Sequence, residues 1–385
     1  MASPLTLSVA VMVEEAAARA GPWDGDVPFV ATLELLVDSC RRTGALTPTG
    51  SQVLHKAAVR HLRNLRYLQA FVDDHPDVTD RPLDAPLVVT GLPRTGTTLL
   101  HNLLACDPAH RVLRFWEALH PVPPHAGGPS AEALQAQAAR WLEGFYRLVP
   151  EFRAIHGATP TAPEECDALL QNTFASQHFD DMFDAVAYSE WLADAALTDE
   201  YQHYAFQLRV LSADGEPGTT WALKSPSHLG HLDALLAALP GCTVVVCHRQ
   251  PHRAVASYAS LVHALRRAYS DDVSPVAIGR QALERAATAM GRALAVRSTA
   301  PPGTFVDVPY RELVRDPISV VRTVYEQRGR ALEEEAEERM RRWARENPQH
   351  KHGPHRYALA DFGLTTDQVD AAFAPYMERF GPLAG

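Results

Sequence analysis

The first residues able to do chemistry lie in a glycine-bracketed turn. Gly91 and Gly96 enclose Leu92, Pro93, Arg94 and Thr95, and Thr97 and Thr98 follow at once. Backbone N–H groups converge in such a turn and the next helix adds a partial positive charge at its start, so an anion fits there. The spacing is that of a nucleoside-triphosphate loop, except that Thr97 stands where that loop carries its lysine. Triphosphate chemistry uses that lysine on the β- and γ-phosphates; Arg94 is positioned to supply the missing charge. A second cradle starts at Arg249, just after the apolar Thr243–His248, with Ser257 eight residues on and able to face the same way, two helical turns later. Lys224 closes another apolar run, with Ser225 and His228 behind it. Two separate anion cradles point to a nucleotide phosphorylated at two places.

The elements that hold these side chains read as strands and helices in alternation. Leu87–Thr90, Trp221–Lys224, Thr243–His248 and Thr304–Val308 are short β-branched or apolar runs. Leu99, Leu100, Leu103 and Leu104 repeat at helical spacing, and helices are predicted over Leu229–Leu239, His252–Arg267 and Val276 to about Arg297. The pattern predicts an α/β fold, a central parallel sheet flanked by helices on both faces, with functional side chains at the strand ends. Residues 1–84 read as an N-terminal helical cap and candidate homo-oligomer contact, in which Lys56, Arg60, Arg63 and Arg66 read as a solvated face. Residues 85–385 form the α/β domain. Within it, residues 110–215 read as a helical, aromatic-rich insertion on the substrate side. Its aromatics read as core first, yet helices over the loop end of a sheet are where a pocket forms. Pro121–Pro129 is a breaker cluster that ends the helix bearing Phe115, Trp116 and Glu117, and Leu332–Arg345 reads as a solvated helix.

Composition sets the limits. The 385 residues carry a formal net charge of −10, with a pI near 6.0, which argues against nucleic acid and anionic membranes as partners and makes any anion site a local pocket. The five cysteines are scattered without ligand spacing and read as reduced thiols of a cytoplasmic protein. No basic leader precedes an apolar start and no apolar span reaches about 18 residues, so a soluble chain without integral membrane association is expected. The 18 histidines form no ligand pattern, and no metal is expected.

Pro93-Arg-Thr-Gly-Thr-Thr98 resembles the 5′-phosphosulfate loop of the sulfotransferases that use 3′-phosphoadenosine 5′-phosphosulfate (PAPS), and Arg249-Gln-Pro-His-Arg-Ala-Val-Ala-Ser257 resembles their 3′-phosphate motif. Trp221–Leu229 and Val308–Pro317 look like that family's third and fourth strands, and His350–Gly363 resembles the closing loop of its bacterial branch. The resemblance covers about residues 85–380, and Arg94, where the cytosolic branch has lysine, puts the chain nearer the bacterial and Golgi branches. It implies a P-loop-like fold, PAPS as co-substrate, 3′,5′-adenosine bisphosphate (PAP) as product, and transfer to a hydroxyl of a small-molecule or lipid acceptor. It also implies that Arg94, Thr95, Gly96, Thr97 and Thr98 hold the 5′ end, that Arg249 and Ser257 hold the 3′-phosphate with Lys351 and Gly353, and that Tyr310 contacts the base. Lys224 would stabilise the leaving group. Glu117 and His228 compete as general base, with Glu117 favoured, while Glu164 and Glu165 are candidates for the acceptor side. Two other readings stay open: a P-loop kinase or NTPase, with Thr304-Phe-Val-Asp307 as its magnesium strand, and a non-catalytic nucleotide-binding protein.

Overall fold

The computed structural model describes residues 7–125, 128–155, 157–214, 219–347 and 357–385. Its centre is a five-stranded parallel sheet, β1 (Leu87–Gly91), β2 (His110–Arg111), β3 (Thr220–Lys224), β4 (Thr243–His248) and β5 (Phe305–Pro309), in the order β2-β3-β1-β4-β5. The chain builds β2 and β3 on one side of β1 and β4 and β5 on the other. The carboxyl end of β1 is therefore a switch point, where connections diverge and leave a crevice. Both faces of the sheet are covered, which is why the strands read as unbroken apolar runs. Leu87, Val89, Ala222, Val245 and Val306 pack with Leu100, Leu103 and Leu104 on one face, whereas Val88, Trp221, Leu223, Val244 and Val246 join the larger core on the other.

That larger core also takes in the first helices, α1 (Val9–Ala20), α2 (Val30–Thr43) and α3 (Pro48–Asp74), through Met12, Leu33, Leu36, Leu54 and Leu62. The loop helix α4 (Thr97–Leu104) lies against the sheet. Three details differ from the expected elements. β2 has only two residues, too few to leave a periodic signal, so the strand running to Pro309 is the fifth in the chain and not the fourth. The segment expected as one helix from Leu229 starts instead as a 3-10 turn over Pro226–His231, with Pro226 near its start, and continues as Leu232–Ala238. The charged C-terminal segment forms Glu334–Glu346 and buries Ala336 and Met340.

Burial holds several histidines neutral. It pushes His101 down to about 3 and His203, His228 and His231 to about 4, and with the Arg60 and Arg63 charges it does the same to His120. A group whose folded pKa lies below its unfolded value stabilises the fold above pH 6.5, and that stability is lost as pH falls towards 4. Asp180 and Asp181, raised by burial, oppose this, as does His178, raised by surrounding carboxylates. The histidines outnumber them, so unfolding at pH 5 is expected to take up on the order of two to three protons. Melting temperature should fall steadily from pH 7 to pH 5; a flat or rising profile would show that these imidazoles are charged in the fold.

Candidate active site

The turn after β1 is shaped by close approach. A Cβ on Gly91, at φ 147°, would lie 2.5 Å from the Cys247 carbonyl oxygen, and one on Gly96, at φ 93°, would lie 3.0 Å from Tyr310 and Leu313. Arg94 takes φ 69°, a left-handed conformation that costs a non-glycine residue roughly 1–2 kcal/mol. The Thr95 hydroxyl donates to the Leu92 carbonyl at 2.7 Å and closes the turn. In α4 the first helical bond runs from the Leu100 N–H to the Gly96 carbonyl at 3.1 Å, so the N–H groups of Thr97, Thr98 and Leu99 have no intrahelical acceptor.

Strand register then delivers the remaining side chains to the same edge. Val89 is level with Lys224, and Gly91 with Cys247, which sets Arg249 two residues past Cys247, just beyond the sheet and beside the turn. The Arg249 guanidinium donates from Nη1 to the Arg94 carbonyl at 2.6 Å and lies 4.1 Å from the centre of the Tyr310 ring, the first residue after β5. Lys224 is buried, with 1% of its surface exposed. Its Nζ is ion-paired with Glu165 and lies 3.5 Å from the Thr98 hydroxyl. A buried ammonium is tolerable only when paired in this way. Glu165 Oε2 is 4.0 Å from Nε2 of His178, whose Nδ1 is 3.6 Å from Asp167. Burial alone would lower the His178 pKa, but Asp167, Glu165, Asp181 and Glu164 together raise it.

Lys224 itself is not part of the lining, but its partners Glu165 and Thr98 open into one cavity of about 1110 Å³, lined also by Arg94, Gly96, Thr97, Glu164, Arg249 and Tyr310. Ser257 is buried on the helix Pro251–Arg266 and is not part of the lining, and Lys351 and Gly353 lie outside the described residues. Elsewhere the wall is largely apolar, with Phe115, Trp141, Phe145, Phe152, Phe179 and Phe183. The aromatic insertion thus divides. Tyr188, Tyr201 and Tyr204 are fully buried core, and other rings face the cavity.

The two sequence candidates for a base stand apart from this cavity. Glu117, in the short helix α5 (Phe115–Leu119), accepts the Arg114 N–H at 2.8 Å and the Arg111 guanidinium at 3.2 Å, so it caps its own helix. Arg111 in turn lies over the Trp221 ring. His228 is fully buried, its Nδ1 bonded to the Tyr201 hydroxyl at 2.9 Å. Neither residue lines the cavity. Asp307, the residue that an NTPase reading would give to magnesium, bonds instead to His248 at 2.7 Å and Arg297 at 2.8 Å.

One expectation is corrected outright. The basic residues of α3 are not a solvated face: Arg60 and Arg63 are half-buried, and with Lys56 and Tyr67 they line the cavity. Arg66 donates to the Pro22 carbonyl at 2.7 Å. The signal was in the spacing, because positions 56, 60, 63 and 67 share one helical face. Sequence alone could not say which wall that face meets.

Comparison with known proteins agrees with this architecture. The model of the sulfotransferase family matches residues 86–334, from the start of β1 to the start of the Glu334–Glu346 helix. The chain is similar to the crystal structure of sulfotransferase STF1 from Mycobacterium tuberculosis, at 29% identity and a TM-score of 0.84, over 96% of this chain and 99% of that one. It is also similar to sulfotransferase STF9 from Mycobacterium avium, at 30% identity and a TM-score of 0.82, over 99% and 98% of the two chains. No curated protein matches it. With well over half of its length matched by the family model, and with near full-length likeness to two mycobacterial enzymes, the chain belongs to the sulfotransferase family.

Proposed function

We propose that this protein transfers the sulfuryl group of PAPS to a hydroxyl of an acceptor held in the apolar part of the cavity. One observation carries the reading: the free N–H groups of α4, the Arg249 guanidinium and Glu165 all border one cavity, and the buried Lys224 ammonium contacts two residues of its wall, Thr98 and Glu165. When bound, the donor supplies a sulfuryl group activated by its linkage to the 5′-phosphate. Around it, the α4 N–H groups, Arg94, Thr97 and Thr98 hold the 5′ end, with Gly91 and Gly96 letting the backbone approach closely. Arg249, stacked on Tyr310, holds the 3′-phosphate, with Ser257 behind it. Lys224 neutralises the charge that gathers on the bridging oxygen as its bond to sulfur breaks. Glu165 takes the proton of the acceptor hydroxyl as the new oxygen–sulfur bond forms, the role expected of Glu117 from the resemblance. Glu165 is favoured because a base must reach the substrate, and Glu117 is spent on a helix cap.

Thermal shift with PAP tests the donor reading. A ligand bound only by the native state at 100 times its Kd adds about 2.7 kcal/mol, so PAP is expected to raise the melting temperature clearly. Arg249→Ala should lose most of that rise. A wild-type chain that PAP leaves unmoved refutes the reading.

A further inference from the structure

The α3 wall of the cavity carries Lys56, Arg60 and Arg63, with Arg140 of the helix Ala131–Leu148 on the same cavity, and among the described residues none of the four has a carboxylate within ion-pair distance. Arg60 Nη2 is bonded to His61 Nε2 at 3.0 Å and its guanidinium lies 5.6 Å from the centre of the Trp141 ring. Arg63 Nη2 donates to the Tyr67 hydroxyl at 3.1 Å. The Nε–H groups of both arginines are buried without a hydrogen-bond partner. Desolvation pulls Arg60 down to about 10, and Glu15, which feels the Arg63 charge, is already bonded to Arg19 and His55. The carboxylates of the cavity wall, Glu164, Glu165, Asp167 and Asp181, belong to the Lys224 and His178 neighbourhood or to the Tyr258 hydroxyl, not to α3. A guanidinium pair desolvated against aromatic rings with unspent donors is costly unless an anion completes it.

We infer that Arg60 and Arg63, with Lys56, bind an anionic group of the acceptor, which is therefore a hydroxylated amphiphile: its charged head on α3, its apolar chain along Trp141 and Phe145, and its hydroxyl at Glu165. This assignment rests on the sulfuryl-transfer reading and narrows it. The α3 cations form a site separate from the donor cradle, and they set acceptor specificity without taking part in the bond exchange.

The test is isothermal titration of the full chain, saturated with PAP to fill the donor cradle, using octyl phosphate, 1-octanol and inorganic phosphate as probes. Octyl phosphate is expected to bind at least about tenfold tighter than either of the others. Arg60→Gln/Arg63→Gln should bring it down to the 1-octanol level, leaving 1-octanol affinity and the PAP-induced thermal shift as in wild type. Equal binding of octyl phosphate and 1-octanol, or an unchanged Kd in the double variant, overturns the anionic anchor. Inorganic phosphate as tight as octyl phosphate overturns the amphiphile. Should the double variant fail to fold, Lys56→Gln at its exposed position and a salt titration of the wild type decide the same point: weaker binding in both supports the anchor, and no change in either overturns it. A wild type that does not bind PAP defeats the parent reading instead, and the acceptor assignment with it.

Discussion

Glu165→Gln is expected to lower kcat by about 10²–10⁴-fold, the range that general-base catalysis commands, while leaving the PAP-induced thermal shift in place. The substitution keeps the side-chain shape and its amide oxygen still accepts from Lys224 Nζ, but the buried ammonium loses its counter-charge, so the melting temperature is expected to fall and kcat is read on the folded fraction. What is lost is the ability to accept a proton. Glu117→Gln supplies the contrast: it removes the charge facing Arg111 and costs about 1 kcal/mol of stability, but it should keep kcat within a few-fold, because that carboxylate does not line the cavity of the proposed site. If instead Glu117→Gln abolishes turnover and Glu165→Gln preserves it, the base assignment reverses.

Lys224→Ala should reduce kcat by about 10²–10³-fold, the cost of removing one group that stabilises charge developing in the transition state. Donor KM should move much less, since Arg94, Arg249 and the α4 N–H groups remain. A merely structural lysine would give the opposite split: a lower melting temperature and an unaltered kcat in the molecules still folded. Lys224→Arg is expected to restore little. The ammonium sits with 1% exposure between Thr98 and Glu165, and a planar guanidinium does not fit the place of a compact point charge.

The fold was legible because its determinants are local and periodic. Continuous apolar runs at 87–90, 221–224 and 243–248 can be buried on both sides only in a parallel sheet, and each leads to a segment of the proposed site, the 91–98 turn, Lys224 or Arg249. The turn at 91–96 announced itself through glycines, which the close approach to Cys247, Tyr310 and Leu313 explains. Pairings between distant segments left no such trace. Lys224 meets Glu165 across 59 positions, and nothing near either residue signals that contact. Glu117 is ambiguous in the sequence because a carboxylate at the third position of a helix serves as well for capping as for catalysis, and the bond from the Arg114 N–H shows it in the capping role. The α3 cations had the right spacing, but the wall they face is set by tertiary packing.

The bond from Arg249 to the Arg94 carbonyl means that the two grips proposed for the nucleotide are not built separately. Arg94 sits in an unfavourable backbone conformation, and the side chain that secures it follows β4, where the opposite end of the proposed ligand would be held. On the proposed function the pair works as one clamp: slack at either jaw would loosen the other, and a nucleotide shortened at one end is expected to forfeit more than the contacts of the phosphate it lacks.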